Sequence, residues 1–139
     1  MNAFQTKLAN ELLAETQAHY NSSNRSQDKA LACCYSGPQD RRCAIGRIMT
    51  EDGLEKVIRA RMNANNLAAV MNAFGPDIVQ EEWRPLFATK EGIEFAIQVQ
   101  KLHDTNENWD ENGLTERGQM HSAAIKKRFS LAEAQPAIA

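Results

Sequence analysis

ALACCYSGPQDRRCAIGRIM, residues 30–49, holds all three cysteines, a Gly-Pro turn and three arginines. Leu31, Cys33 and Tyr35 alternate with Ala32, Cys34 and Ser36. After the turn, Cys43, Ile45 and Arg47 alternate with Ala44, Gly46 and Ile48. A period of two on either side of Gly37-Pro38-Gln39-Asp40 predicts strand, turn and strand. With those four residues as the loop, Ser36 is expected opposite Arg41, Tyr35 opposite Arg42 and Cys34 opposite Cys43, on a shared face with Ala32 and Ile45. Cys33 then falls on the other face, and a slip of one residue would exchange the two.

Working outward, 139 residues are enough for one core. The chain is expected to form a single globular domain over residues 1–130, with residues 131–139 as a loose tail ending in Gln135-Pro136-Ala137-Ile138-Ala139. Apolar residues make up 42% and charged residues 24%, the balance of an ordinary globular protein. A net charge of −2 argues against non-specific nucleic-acid binding through a basic surface. No apolar run approaches the roughly 18 residues of a membrane span, so no membrane partner is expected. The opening MNAFQTKLANELLAETQ carries acidic residues and lacks an apolar stretch, so it does not read as a secretory signal. An intracellular chain with three cysteines is expected to keep free thiols.

Residues 3–20 read as an amphipathic helix, with Phe4, Leu8 and Leu12 on one face and Asn2 and Gln5 spaced as a capping box. Asn21-Ser22-Ser23-Asn24 ends it. Thr50 reads as the N-cap of a helix with Leu54, Val57, Ile58 and Met62 on its face. Residues 63–66 interrupt the pattern, and Leu67, Val70, Met71 and Phe74 mark a short helix stopped by Gly75-Pro76. Thr89 caps a helix over residues 90–105, where Ile93, Phe95, Ala96, Ile97, Val99 and Leu102 cover well over half the circumference. So broad an apolar arc predicts the central element of the core. Gln100 and His103 lie inside that arc and must find hydrogen-bond partners or line a cavity. Residues 106–113 read as a polar loop around Trp109. A last helix runs over 115–129, with Met120, Ala124, Ile125 and Phe129 on its apolar side. The expected fold class is therefore α+β, mainly helical, with one antiparallel β-hairpin packed on the central helix.

Several chemical motifs fail on spacing. Cys33, Cys34, Cys43 and His103 are of zinc-ligand type, but the close cysteine pairing of zinc sites is absent and adjacent strand residues face apart; no metal is expected. Cys43 with His103 and Asp104 could supply a nucleophile, a base and an orienting carboxylate, although consecutive helical residues diverge by about 100°. Residues 108–119 imitate a calcium loop but place Asn first and Gln last. Phosphate loops, dinucleotide fingerprints, nucleophile elbows and H-E-x-x-H do not occur. The hairpin turn offers Arg41, Arg42 and Arg47, whose planar forks suit phosphate or carboxylate, while Tyr35 and Trp109 could stack on a base. The Lys126-Lys127-Arg128 run suits a helix C-terminus.

Two segments carry a family resemblance. Cys34-Tyr35-Ser36-Gly37-Pro38, followed by Cys43-Ala44-Ile45-Gly46, resembles a Cys-x-Tyr-x-Gly…Cys-Ala-[Val/Ile]-Gly pattern of small phage and prophage accessory proteins. Val99-Gln100-Lys101-Leu102-His103-Asp104, followed by Trp109, is similar to a Leu-Gln-x-[Ile/Leu]-His-Asp segment of the same proteins. The resemblance spans residues 30–115 and departs after Arg47, where Ile48-Met49-Thr50-Glu51 replaces a Leu-Ile-Pro-Asp-type continuation. It implies an accessory protein acting in the host cytoplasm against host defence. Joined to the residues above, it gives the expectation of a non-enzymatic, cofactor-free protein that sequesters a small anionic, nucleotide-derived immune signal. Arg41, Arg42 and Arg47 would neutralise phosphate, Tyr35 or Trp109 would stack, and Gln100 and His103 would hydrogen-bond from the pocket wall. The alternatives are a protein–protein inhibitor of a host defence effector or nuclease, and a cysteine-dependent enzyme using Cys43. A homodimer would be one way to complete the pocket.

Overall fold

The structure, a computed structural model, describes residues 1–27 and 34–131. Residues 31–33 of the first predicted strand, Cys33 among them, lie outside the described residues, as do residues 132–139 of the expected tail.

Among the described residues five α-helices form where capping residues and periodicity place them. α1 is Ala3–His19, α2 Glu51–Arg59, α3 Leu67–Phe74, α4 Lys90–Asp104 and α5 Glu116–Arg128. Asn2 and Gln5 close the expected capping box on α1: Asn2 Oδ1 accepts from Gln5 N–H at 2.8 Å, and Gln5 Oε1 accepts from Asn2 N–H at 3.0 Å. Thr50, Asn66, Thr89 and Thr115 each accept a first-turn N–H at the start of α2, α3, α4 and α5. Residues 81–88 form a 3-10 run (Glu81–Ala88) that accommodates Pro85 and buries Trp83, Leu86 and Phe87.

α4 is the central element. It packs against α1, α3, α5 and the Glu81–Ala88 run, and Phe95, Ala96, Val99, Leu102 and His103 are each 0% exposed. Gln5 Nε2 bonds the Pro85 carbonyl and Thr89 Oγ1, both at 3.0 Å, which fixes α1 against the start of α4. A Cβ on Gly92 would lie 1.7 Å from the Leu86 carbonyl oxygen, so the 3-10 run and α4 meet backbone to backbone.

Among the described residues the fold is mainly helical with one two-stranded antiparallel hairpin, but that hairpin is not where alternation puts it. β1 (Trp109–Asp110) pairs with β2 (Gly113–Leu114), Trp109 opposite Leu114 and Asp110 opposite Gly113. In the predicted hairpin only one antiparallel bridge forms among the described residues, Ser36 with Arg42, one residue away from the expected Ser36–Arg41 pairing. Residues 37–41 close it, with Gly37 N–H donating to the Arg41 carbonyl at 2.7 Å and the left-handed residues Gln39 (φ 60°) and Asp40 (φ 56°) between them. The predicted second strand is a turn followed by a 3-10 helix, Gly46–Ile48. Its apolar residues do not alternate between faces: Cys43, Ala44, Ile45 and Gly46 are all buried. Gly46 sits so close to Tyr35 that an added Cβ would lie 2.1 Å from the Tyr35 carbonyl oxygen, an approach only glycine allows.

Three expected core residues point outward: Phe4 is 54% exposed, Ile58 46% and Met120 68%. On α5 the buried face is Gly118, Ser122, Ile125 and, just beyond the helix, Phe129, rather than the Met120–Ala124 line. Leu131, assigned to the tail, is instead buried in the core. Among the described residues no helix is long and apolar enough to cross a membrane.

Candidate functional site

Gln100 and His103 find partners, as residues inside an apolar arc must. Gln100 Oε1 accepts from the Ile45 N–H at 3.2 Å, while its Nε2 donates to Asp104 Oδ1 at 2.8 Å. His103 Nδ1 lies 2.8 Å from the same Asp104 oxygen. The divergence expected for neighbouring helical residues does not keep this pair apart. Asp104 sits at the last position of α4, where its carboxylate folds back toward the imidazole. Burial is the main cause that lowers the His103 pKa; Asp104 opposes it and Arg25 adds to it. A neutral imidazole facing an acceptor-only carboxylate carries its proton on Nδ1. Nε2 is then a bare lone pair, buried and without a hydrogen-bond partner among the described residues.

The surroundings of His103 are aromatic and cationic. The Tyr20 ring meets it edge to face at 4.6 Å, and Tyr20 in turn contacts Trp109 at 6.1 Å. The Tyr20 hydroxyl donates to the Arg42 carbonyl. Arg25, which follows the Asn21–Asn24 stretch, is buried: its guanidinium donates to the His103 carbonyl at 2.8 Å and to Asn106 Oδ1 at 2.5 Å. Neither Arg25 nor Tyr20 stands out in the sequence, because both act through residues distant in the chain: Arg25 through His103 and Asn106, Tyr20 through Arg42, His103 and Trp109. Trp109 is buried and donates its indole N–H to the carbonyls of Leu102 and His103, at 3.0 and 3.1 Å, so the ring is a core strut rather than an open stacking face.

The cysteine chemistry is muted by burial. Cys43 is 0% exposed, its Sγ accepts from the Gly46 N–H at 3.2 Å, and desolvation is the main cause that pushes the thiol pKa strongly upward. Thiolate is the reactive form, so this thiol is held unreactive at neutral pH. No hydrogen bond links it to the His103 imidazole, whose Nε2 lacks a partner among the described residues. Cys34 is also buried, with Sγ 3.4 Å from Ser26 Oγ. Among the described residues no group of three or more His, Cys, Asp or Glu side chains could hold a metal ion.

Beside this interior lies a cavity of about 220 Å³. One wall is α4, from which Ile97, Gln100, Lys101 and Asp104 project at helical spacing. Residues 63–66 of the connection between α2 and α3, with Leu67 at the start of α3, also line it, as do Cys34 and Tyr35. The connection is held in place from below. Asn63 clasps the backbone of Ser36, accepting its N–H at 2.9 Å and donating to its carbonyl at 2.8 Å. Tyr35 donates its hydroxyl to the Asn65 carbonyl at 2.8 Å. The asparagines that read as a helix interruption are thus a cavity wall, assembled by contacts no local pattern announces.

Of the residues singled out by sequence, Tyr35 and Gln100 line this cavity, and His103 backs it through Asp104. The three arginines do not line it. Arg42 pairs with Glu51 at 2.7 Å, Arg47 lies over the Tyr20 ring at 5.8 Å from its centre, and Arg41 sits half-buried at the end of the 37–41 turn. The cation on the cavity wall is Lys101, an exposed residue of α4. Compared with protein-family models, with curated proteins and with solved structures, the chain finds no match.

Proposed function

We propose that this chain is a non-enzymatic binding protein that holds a small nucleotide-derived molecule, and that it serves a phage as a counter-defence protein by sequestering an immune signal. The observation that carries the binding half is the cavity itself. It is concave, preformed, lined by both apolar and polar groups, and braced by the Asn63–Ser36 clasp and the Gln100–Asp104–His103 chain. Those are the attributes of a small-molecule site, and its volume of about 220 Å³ suits a ligand, or a part of one, at the small end of that class. Lys101 is the group available for an anionic moiety, and the side-chain amides of the 63–66 connection suit a heterocycle. Binding without turnover is supported by the buried, protonated thiol of Cys43 and by an imidazole enclosed in the core. The counter-defence half rests on the resemblance of residues 30–115 to phage accessory proteins.

Native mass spectrometry of purified protein, repeated with a panel of linear and cyclic nucleotides, tests the reading. An adduct of unchanged ligand mass that persists on incubation is the expected result. A ligand of altered mass would make the protein an enzyme. Protein that ignores every nucleotide would leave inhibition of a host protein as the better account.

A further inference from the structure

Of the asparagines in the chain, Asn112 alone precedes a glycine. It is the last residue of the hairpin tip, and Gly113 is the first residue of β2. Asn112 is exposed, and among the described residues its side-chain amide makes no hydrogen bond. Its backbone N–H donates to Asp110 Oδ1 at 2.8 Å, so the backbone is turned while the amide is left free to rotate. Asn63 and Asn108 differ in this respect: their side chains are tied to the Ser36 backbone and to the Leu102 carbonyl. Glycine has no Cβ to crowd the approach of its own nitrogen to the preceding side chain. A hairpin of two paired positions also opens at its tip at small cost. The same tip reaches two other parts of the fold. Trp109 donates its indole N–H to the Leu102 and His103 carbonyls, and the Asp110 carbonyl accepts the Ser22 N–H at 2.8 Å. Asn112 lines a groove of about 440 Å³ that Gln17, Gln119, Ser122 and Lys126 also line.

We propose that Asn112 and Gly113 form a self-modification site, at which the protein converts Asn112 to aspartate and isoaspartate without an enzyme. Base removes the Gly113 amide proton, and the nitrogen attacks Asn112 Cγ. The N–Cγ bond forms and the Cγ–Nδ2 bond breaks. The proton returns through solvent to Nδ2, which leaves as ammonia. Water then opens the cyclic imide. Opening at Cγ gives aspartate; opening at the Asn112 backbone carbonyl gives isoaspartate, in which the chain runs through Cβ and Cγ. Nothing is oxidised or reduced, and water is the co-reactant. Either product replaces a neutral amide by a carboxylate in the groove that Lys126 lines, next to the Asp110 carboxylate. Isoaspartate also adds one backbone carbon at the tip, which displaces the pairing of Trp109 with Leu114. The modification therefore acts on the Trp109 strut as well as on surface charge.

The test is warm incubation of the full, folded chain for several weeks in neutral and in mildly alkaline buffer. The tryptic peptide 102–117, which carries Asn106, Asn108 and Asn112, is followed by fragmentation mass spectrometry. The expected result is an amide-to-acid mass gain confined to Asn112, in two products that separate by chromatography. It should form faster in the alkaline buffer and be nearly absent from Asn112→Gln, whose longer side chain closes the ring far more slowly. An unchanged peptide, or conversion at Asn106 or Asn108 ahead of Asn112, overturns the inference. Thermal denaturation reads the effect on the hairpin. Isoaspartate-bearing protein, enriched by ion exchange, should melt several degrees below Asn112→Asp, which carries the new charge at the original chain length. Equal melting temperatures overturn the claim that the modification displaces the strand pairing.

Discussion

Gln100 holds Ile45 by its backbone. The side-chain oxygen Gln100 Oε1 accepts the Ile45 N–H at 3.2 Å inside the protein, where Ile45 itself is 0% exposed. This bond ties the turn at residues 43–46 to α4, and the other end of the same amide steadies Asp104 at the cavity. Gln100→Ala should therefore strand a buried N–H and remove one of the donors that hold the Asp104 carboxylate. A loss of about 1–3 kcal/mol is expected, read as a lower urea midpoint with an unchanged m-value. A variant as stable as the parent would mean that water replaces the amide without cost.

His103 sets an acid limit on stability. Its pKa is lowered in the folded protein, first by burial, so the unfolded chain takes up a proton near pH 6.5 that the native protein refuses. Above pH 6.5 the group contributes no penalty; as pH falls below that value stability drops, at up to about 1.4 kcal/mol per pH unit, until the folded pKa is reached. The groups facing the imidazole are Asp104 on its own helix, and Arg25 and the Tyr20 ring from the segments packed against it. His19 and His121, also lowered, add to the slope from more exposed positions. Urea denaturation from pH 8 to pH 5 should show the decline, and His103→Gln should remove the largest part of it. An equal slope in that variant would place the acid sensitivity elsewhere.

The two described thiols should be silent in the native state. Iodoacetamide at neutral pH is expected to leave Cys34 and Cys43 unmodified in folded protein and to alkylate both in denaturant, as read by peptide mass mapping. Rapid native labelling of Cys43 would contradict its burial and revive a nucleophilic role.

Two glycine substitutions separate contact from conformation. Gly46→Ala would drive a Cβ to 2.1 Å from the Tyr35 carbonyl oxygen, and backbone must move to relieve it. Gly75 has no neighbouring atom within 4 Å of an added Cβ, but its φ of +73° strains any other residue. Gly75→Ala is expected to cost about 1 kcal/mol, whereas Gly46→Ala is expected to cost more and also to weaken ligand binding, because it shifts Tyr35 at the end of the cavity. Thermal denaturation gives the first comparison and calorimetry the second.

The helices were legible because their signals are local. Asn2 with Gln5, and Thr50, Thr89 and Thr115, mark helix starts within one turn of the chain, and the broad apolar arc of residues 93–102 identified α4 as central. The strand assignment at residues 43–48 failed for a physical reason. Alternation implies one wet face, and here Cys43, Ala44, Ile45 and Gly46 are covered on every side, with Gly46 pressed on the Tyr35 backbone. The hairpin that does form was signalled only by Asn112-Gly113, a turn dipeptide inside a loop too polar to suggest strands. At the site, Gln100 and His103 could be singled out because polar groups in an apolar arc need partners, and Tyr35 as an aromatic ring beside the turn. Arg25, Tyr20 and the 63–66 wall could not, since each acquires its role from a contact made across the fold. The arginines drew attention by charge, and charge alone does not say which side of a turn faces a cavity.

One helix supplies both the cavity wall and the centre of the core, and this has a thermodynamic consequence. In a protein whose site sits on a detachable loop, the site can open while the rest stays folded, and a ligand then protects only that loop. Here residues 97–104 cannot leave the cavity without dismantling the packing of α1, α3 and α5 around α4. Ligand should accordingly raise the melting temperature of the whole cooperative unit, by the full amount its concentration and affinity allow. Escape from an inhibitor aimed at this wall would likewise draw on the stability of the entire fold.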